Sequence, residues 1–140
     1  MGNLLNRSQL LEREELQIEK VEFEDGNFVC VRQMTGHERD LFEQSLLKKN
    51  RDAKGNIVGY EQATEDFRAK LAVVTVCDER GNLILQQADY LLLSKSMSAK
   101  KLERIINAAQ KLNAITEEDK ENILKNSEAV PDGNSNSDSV

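Results

Sequence analysis

Between Leu16 and Glu38 the hydrophobic pattern changes from a two-residue period to a helical one, and this junction limits the folds open to the chain. Leu16 and Ile18 alternate with Gln17 and Glu19. Val21 and Phe23 resume the alternation one residue out of phase, which predicts a strand with a bulge at Lys20-Val21. Glu24-Asp25-Gly26-Asn27 supplies an Asp-Gly turn, and the β-branched run Phe28-Val29-Cys30-Val31-Arg32 follows, so the two runs predict a hairpin. Thr35-Gly36-His37-Glu38 then forms a capping box, in which the Thr35 hydroxyl accepts from the Glu38 N–H and the Glu38 carboxylate accepts from the Thr35 N–H. The helix it opens carries Leu41, Phe42, Ser45 and Leu46 on one face, with Lys48 and Lys49 in a last turn suited to the helix dipole.

Ahead of this junction, Ser8–Glu15 predicts a short helix whose apolar contribution is Leu10 and Leu11. Beyond it, the polar stretch Asn50–Gly59 reads as a loop. A second helix is expected from Glu61 through Phe67, Leu71 and Val74. Residues 71–77 are apolar nearly all round and should be the most buried part of the chain, and their β-branched content leaves strand open for 72–77. A turn follows at Asp78–Asn82, then the connector Leu83-Ile84-Leu85 and a brief helix over Gln87–Ser94. Ser98 caps a helix over Ala99–Asn113 with Leu102, Ile105, Ile106, Ala109 and Leu112 on one stripe. Thr116-Glu117-Glu118-Asp119 caps a last short helix that uses Ile123 and Leu124. After Asn126 the composition collapses to Ser, Asn, Asp and Gly, too polar to offset ordering entropy. The expected fold is therefore α+β and mainly α-helical: one N-terminal hairpin, four to five helices, a single domain over residues 1–126 and a disordered polar tail over 127–140.

Several chemistries are argued against by composition and spacing. A net charge of −6 disfavours duplex nucleic acid, whose phosphates require a concentrated positive face. No run approaches the roughly 20 apolar residues that span a bilayer, and residues 1–7 lack the cationic start and apolar run of a secretory signal. Cys30 and Cys77 are far apart without a CxxC or His partner, so they read as buried fillers in a reducing cytoplasm, with a disulfide between them open but not required. His37 is the only histidine and falls in a helix first turn, without the neighbours of a zinc site or a triad. Ser98-Ala99-Lys100-Lys101 matches the S-x-x-K pattern of serine acyl enzymes, but the companion motifs are absent and an N-cap explains Ser98. Asp132, Asn134, Asn136 and Asp138 alternate like the start of a calcium loop, but Ser137 stands where glycine is required. No catalytic, cofactor or metal residues are assigned, and the chain is read as a non-enzyme.

What remains is surface chemistry. Lys100, Lys101, Arg104 and Lys111 make one moderately basic helix, while Glu12–Asp25 holds seven carboxylates against Arg13 and Lys20. Each is either a solvated face or half of a complementary pair, and acidic hairpin meeting basic helix head to tail would make a homo-oligomer. Leu91-Leu92-Leu93 with Met97 exceeds what one face of a short helix can bury; the cluster is either core or an exposed patch for an apolar segment. The candidate partner-binding residues are Leu91, Leu92, Leu93, Met97, Lys100, Lys101 and Arg104.

In order and spacing, three segments resemble the tail assembly chaperones of long-tailed (siphovirus-type) bacteriophages and prophages. The first is Val29-Cys30-Val31-Arg32-Gln33-Met34-Thr35-Gly36-His37-Glu38-Arg39-Asp40, similar to the family's V-x-V-R-x-(L/M)-T-G-x-E-R run into a helix. The second is Ala69–Asn82, like its buried segment followed by an acidic turn with glycine. The third runs from Leu92-Leu93-Ser94-Lys95-Ser96 through Leu112-Asn113 to Thr116-Glu117-Glu118-Asp119. Together they span roughly residues 16–126. The resemblance implies a non-catalytic protein that binds and solubilises the tape-measure protein during tail-tube polymerisation. It would act in the cytoplasm of an infected or lysogenic bacterium and be absent from the mature virion. In many such phages a longer frameshifted product recruits the tail-tube protein, and the short polar tail here suits the shorter product. A structural virion component, such as a tail-completion or connector subunit, is the alternative expectation.

Overall fold

The first strand begins where the apolar residues begin to alternate. β1 (Ile18–Glu22) pairs antiparallel with β2 (Phe28–Arg32), which pairs on its other edge with β5 (Val76–Cys77), giving a three-stranded sheet of order β1-β2-β5. The structure is a computed structural model that describes residues 2–62, 65–116 and 118–119. Register is continuous from Ile18↔Arg32 to Glu22↔Phe28, so the bulge expected at Lys20-Val21 is absent. The change of phase marks a change of face. Val21, Val29, Val31 and Val76 turn toward the core, whereas Ile18 lies on the opposite face beneath the turn at Gly81, where a Cβ would sit 3.2 Å from Ile18 Cδ1.

The helices follow in chain order. α1 (Arg7–Leu10) is a single turn, shorter than the expected Ser8–Glu15, closed by reciprocal Asn6–Gln9 bonds. α2 (Gly36–Gln44) opens on the expected Thr35–Glu38 box and buries Phe42, while Leu41 stays exposed. α3 (Phe67–Val73) is shorter than expected: Glu61 belongs to a strand, and the chain leaves the helix at Val74 to supply β5. A 3-10 turn (Gln87–Asp89) leads into α4 (Tyr90–Ser96), and α5 (Ala99–Leu112) follows with the Ser98 hydroxyl accepting from the Lys101 N–H at 3.1 Å. The stripe of α5 (Leu102, Ile105, Ile106, Ala109) packs on α3, β1 and β2, and Phe42 meets Phe67 with ring centroids 5.7 Å apart. Leu71, Ala72, Thr75, Val76 and Cys77 are all buried, as the apolar run predicted.

The mainly helical expectation is overturned. Among the described residues five strands form two antiparallel sheets beside five α-helices, because residues read as helix end and loop form a second hairpin. β3 (Leu47–Arg51) and β4 (Ile57–Gln62) pair from Leu47↔Gln62 to Arg51↔Ile57, so Lys48 and Lys49 are strand residues rather than a helix terminus. The physical reason lies in the turn. Phe23, Asp52 and Asp78 each bond by their N–H to the carbonyl of Asn27, Asn56 and Asn82, and each accepts from the N–H of Gly26, Gly55 and Gly81. All three glycines have φ near +90°, a conformation glycine adopts without penalty. One Gly-Asn turn thus closes three hairpins, the third being β5 with the bridge Cys77↔Leu83. The reciprocal Thr116–Asp119 bonds are present at 3.1 and 3.0 Å, whereas Ile123, Leu124 and the tail 127–140 fall outside the described residues.

Candidate binding surfaces

The Ser98 hydroxyl is the α5 cap, His37 is exposed in the first turn of α2, and no group of three or more His, Cys, Asp or Glu could hold a metal among the described residues. The most constructed polar feature is the Arg32–Glu38 pair. Both Arg32 Nη atoms donate to the Glu38 carboxylate, at 2.9 and 2.8 Å, and Nη1 also donates to the Gln33 carbonyl at 2.9 Å. Arg32 is only 7% exposed. Burial would raise the Glu38 pKa, but hydrogen bonds from Arg32 and the Thr35 N–H, with the Arg32 charge, hold it below its ordinary value. The pair borders an open groove of about 1720 Å³ between Arg13–Ile18, the start of α2 and the Gly81 turn. Its walls carry both signs of charge, and the pair ties the end of β2 to the first turn of α2. Asn113 completes the tie by accepting from the Met34 N–H at 2.7 Å and, through its carbonyl, from Arg39 at 3.1 Å. We read this as architecture.

The seven residues singled out from sequence separate into three groups. Leu91 and Leu92 are 48% and 70% exposed on α4. Leu93 and Met97 are partly buried and pack against the core, as the core reading expected, whereas Leu91 and Leu92 lie on the surface. Lys100 reaches Glu24 at 2.9 Å and the Lys101 ammonium lies 4.5 Å from the Phe23 ring centroid. The acidic hairpin and the basic helix therefore meet within one chain. Both ends of the Lys100–Glu24 pair are well exposed, so its contribution is small. Arg104 is exposed and makes no ion pair among the described residues.

Two further surfaces escaped the sequence reading. The β3–β4 hairpin exposes Leu47, Ile57, Val58 and Tyr60, and every residue of β3 is exposed. The N-terminal arm, Gly2 to Glu15, is exposed throughout, with Leu4 and Leu5 joining Leu10 and Leu11. The hairpin had a signal: Gly55-Asn56-Ile57-Val58 repeats the pattern of Gly26-Asn27-Phe28-Val29 and Gly81-Asn82-Leu83-Ile84. Among the described residues no helix is long and apolar enough to cross a membrane. Compared with protein-family models, with curated proteins and with solved structures, the chain matches none.

Proposed function

We propose that this chain is a non-catalytic phage tail assembly chaperone that shields apolar helical segments of the tape-measure protein, with Leu91 and Leu92 on α4 as the contact. The observation that carries the reading is the neighbouring exposure of these two leucines on a helix whose inward residue Leu93 is already committed to the core. Fully burying a leucine is worth about 1.5–3 kcal/mol, so covering two partly exposed ones contributes only about 2–4 kcal/mol. One such contact is too weak for permanent capture. Many copies along a long client would hold it soluble yet release it as the tube polymerises. Tail-tube subunits would be recruited alongside, through a longer frameshifted product where one is made. The site of action would be the cytoplasm of an infected or lysogenic bacterium.

Co-expression with the tape-measure protein from the same tail gene cluster tests this. The client's soluble fraction should rise with the wild-type chain and fall back with Leu91→Asp/Leu92→Asp, while purified particles contain none of this chain. Unchanged client solubility would sink the proposal, and recovery of the chain in mature particles would favour a structural role.

A further inference from the structure

The chain's two cysteines are far apart in sequence but face each other in the fold. Cys30 on β2 and Cys77 on β5 are register partners, so their side chains leave the sheet on the same side. Both are free thiols, and both are buried. Alternation puts them on the face away from the core pair Val31 and Val76, the face that also carries Ile18 and Arg32. The Asp78–Asn82 turn lies over that face. A Cβ at Gly81 would meet both Ile18 and Arg32, and burial, with the Glu79 and Asp78 charges of the turn, raises the Cys30 pKa. The Arg32 N–H donates to the Thr75 carbonyl at 2.9 Å, so Cys30↔Cys77, two positions along, is also a hydrogen-bonded pair. Cα atoms in such a pair are about 5.5 Å apart, inside the span a disulfide accepts. The Cβ atoms, about 5 Å apart, have to close by about 1 Å to reach disulfide geometry. Strain of that kind makes a bond that is readily reduced rather than permanent.

We propose that Cys30 and Cys77 are a reversible redox pair whose oxidation staples β5 to β2. The oxidant is a small disulfide such as oxidised glutathione. Cys30, 7% exposed against 3% for Cys77, reacts first when the turn opens. Its thiolate bonds to one glutathione sulfur, and the other glutathione leaves as a thiolate. The Cys77 thiolate then attacks the Cys30 sulfur and expels the first glutathione. Two protein thiols are oxidised, one glutathione disulfide is reduced to two thiols, and the two cysteine protons end on glutathione. β5 is two residues long, so the bond fixes the chain just beyond α3, where the ladder is shortest. A reducing compartment leaves the pair open and an oxidising one closes it. The inference does not rest on what α4 binds.

Dilution of the reduced full chain from urea into mixtures of reduced and oxidised glutathione tests it, because the unfolded start removes burial as an obstacle. Products are mapped by mass spectrometry without reduction. A peptide crosslinked through Cys30 and Cys77 should accumulate as the mixture becomes more oxidising, with an equilibrium constant larger by about tenfold or more in native buffer than in urea. The crosslinked form should unfold at a urea midpoint higher by about 1–2 M, and dithiothreitol should return it to the reduced midpoint. Cys30→Ala and Cys77→Ala should each abolish the difference between oxidising and reducing buffers. A wild type that stays dithiol in the most oxidising mixture, or carries only glutathione or intermolecular adducts, overturns the proposal. So does a crosslink that lowers the midpoint, or one that forms no better in native buffer than in urea.

Discussion

Replacing Glu38 by alanine removes one carboxylate that serves two structures at once. It receives Arg32 Nη1 and Nη2 at 2.9 and 2.8 Å and the Thr35 N–H at 2.9 Å. Without it the Arg32 guanidinium stays buried with the Gln33 carbonyl as its remaining partner, and its Nε already lacks one among the described residues. Breaking a fully buried ion pair costs about 3–5 kcal/mol. The Glu38 side chain is 23% exposed, so water softens the loss to about 2–3 kcal/mol. Half a capping box adds about 0.5–1 kcal/mol. The expected total is about 3 kcal/mol, read in urea denaturation as a midpoint lowered by about 1.5–2 M. Thr35→Ala removes only cap bonds and should cost about 1 kcal/mol. Adding Arg32→Met to Glu38→Ala should recover stability, because the stranded charge leaves with it. The Glu38 carboxyl is depressed from its ordinary value of 4.5, so its contribution is present above about pH 4.5 and is lost as pH falls through the folded value. The gap between wild type and Glu38→Ala should therefore close in acid. A Glu38→Ala cost no larger than that of Thr35→Ala would refute the buried-pair argument.

Three other outcomes are expected. Ser98→Ala should lower stability by about 1 kcal/mol through loss of the α5 cap, with the far-ultraviolet spectrum retained. Gly81→Ala should destabilise more than Gly26→Ala in the same denaturation assay. Both glycines have positive φ, but a Cβ at Gly81 also meets Ile18 Cδ1 at 3.2 Å, and Ile18→Ala should remove the excess. Burial pushes the Cys77 thiol up to about 11 and raises Cys30 as well, so both should react slowly with a thiol reagent until urea unfolds the chain. Protonated Cys77 stabilises the fold below its ordinary value of 9.0, and that contribution should decline as pH rises toward 11.

What the sequence by itself determined are the features closed within four or five residues. The Thr35–Glu38 box, the Ser98 cap, the Thr116–Asp119 box and the Asp25-Gly26 turn all form where they were read, because donor and acceptor are neighbours in the chain. The α5 stripe was equally legible, since its period alone puts Leu102, Ile105, Ile106 and Ala109 on one face. Tertiary structure decided the rest. Val76-Cys77 becomes a strand because the free edge of β2 offers partners that a longer α3 would forgo. Lys48 and Lys49 enter a sheet because the Asp52–Asn56 turn folds β4 back onto them; there the Gly55-Asn56 signal was local, and the helical reading ran past it. The binding surfaces were decided the same way. Leu93 is core and Leu92 is surface, one residue apart, only because α4 turns one side to α3; Lys100 and Lys101 meet the hairpin tip only because α5 crosses behind it. Exposure depends on how elements are arranged in space, and local sequence carries no measure of that arrangement.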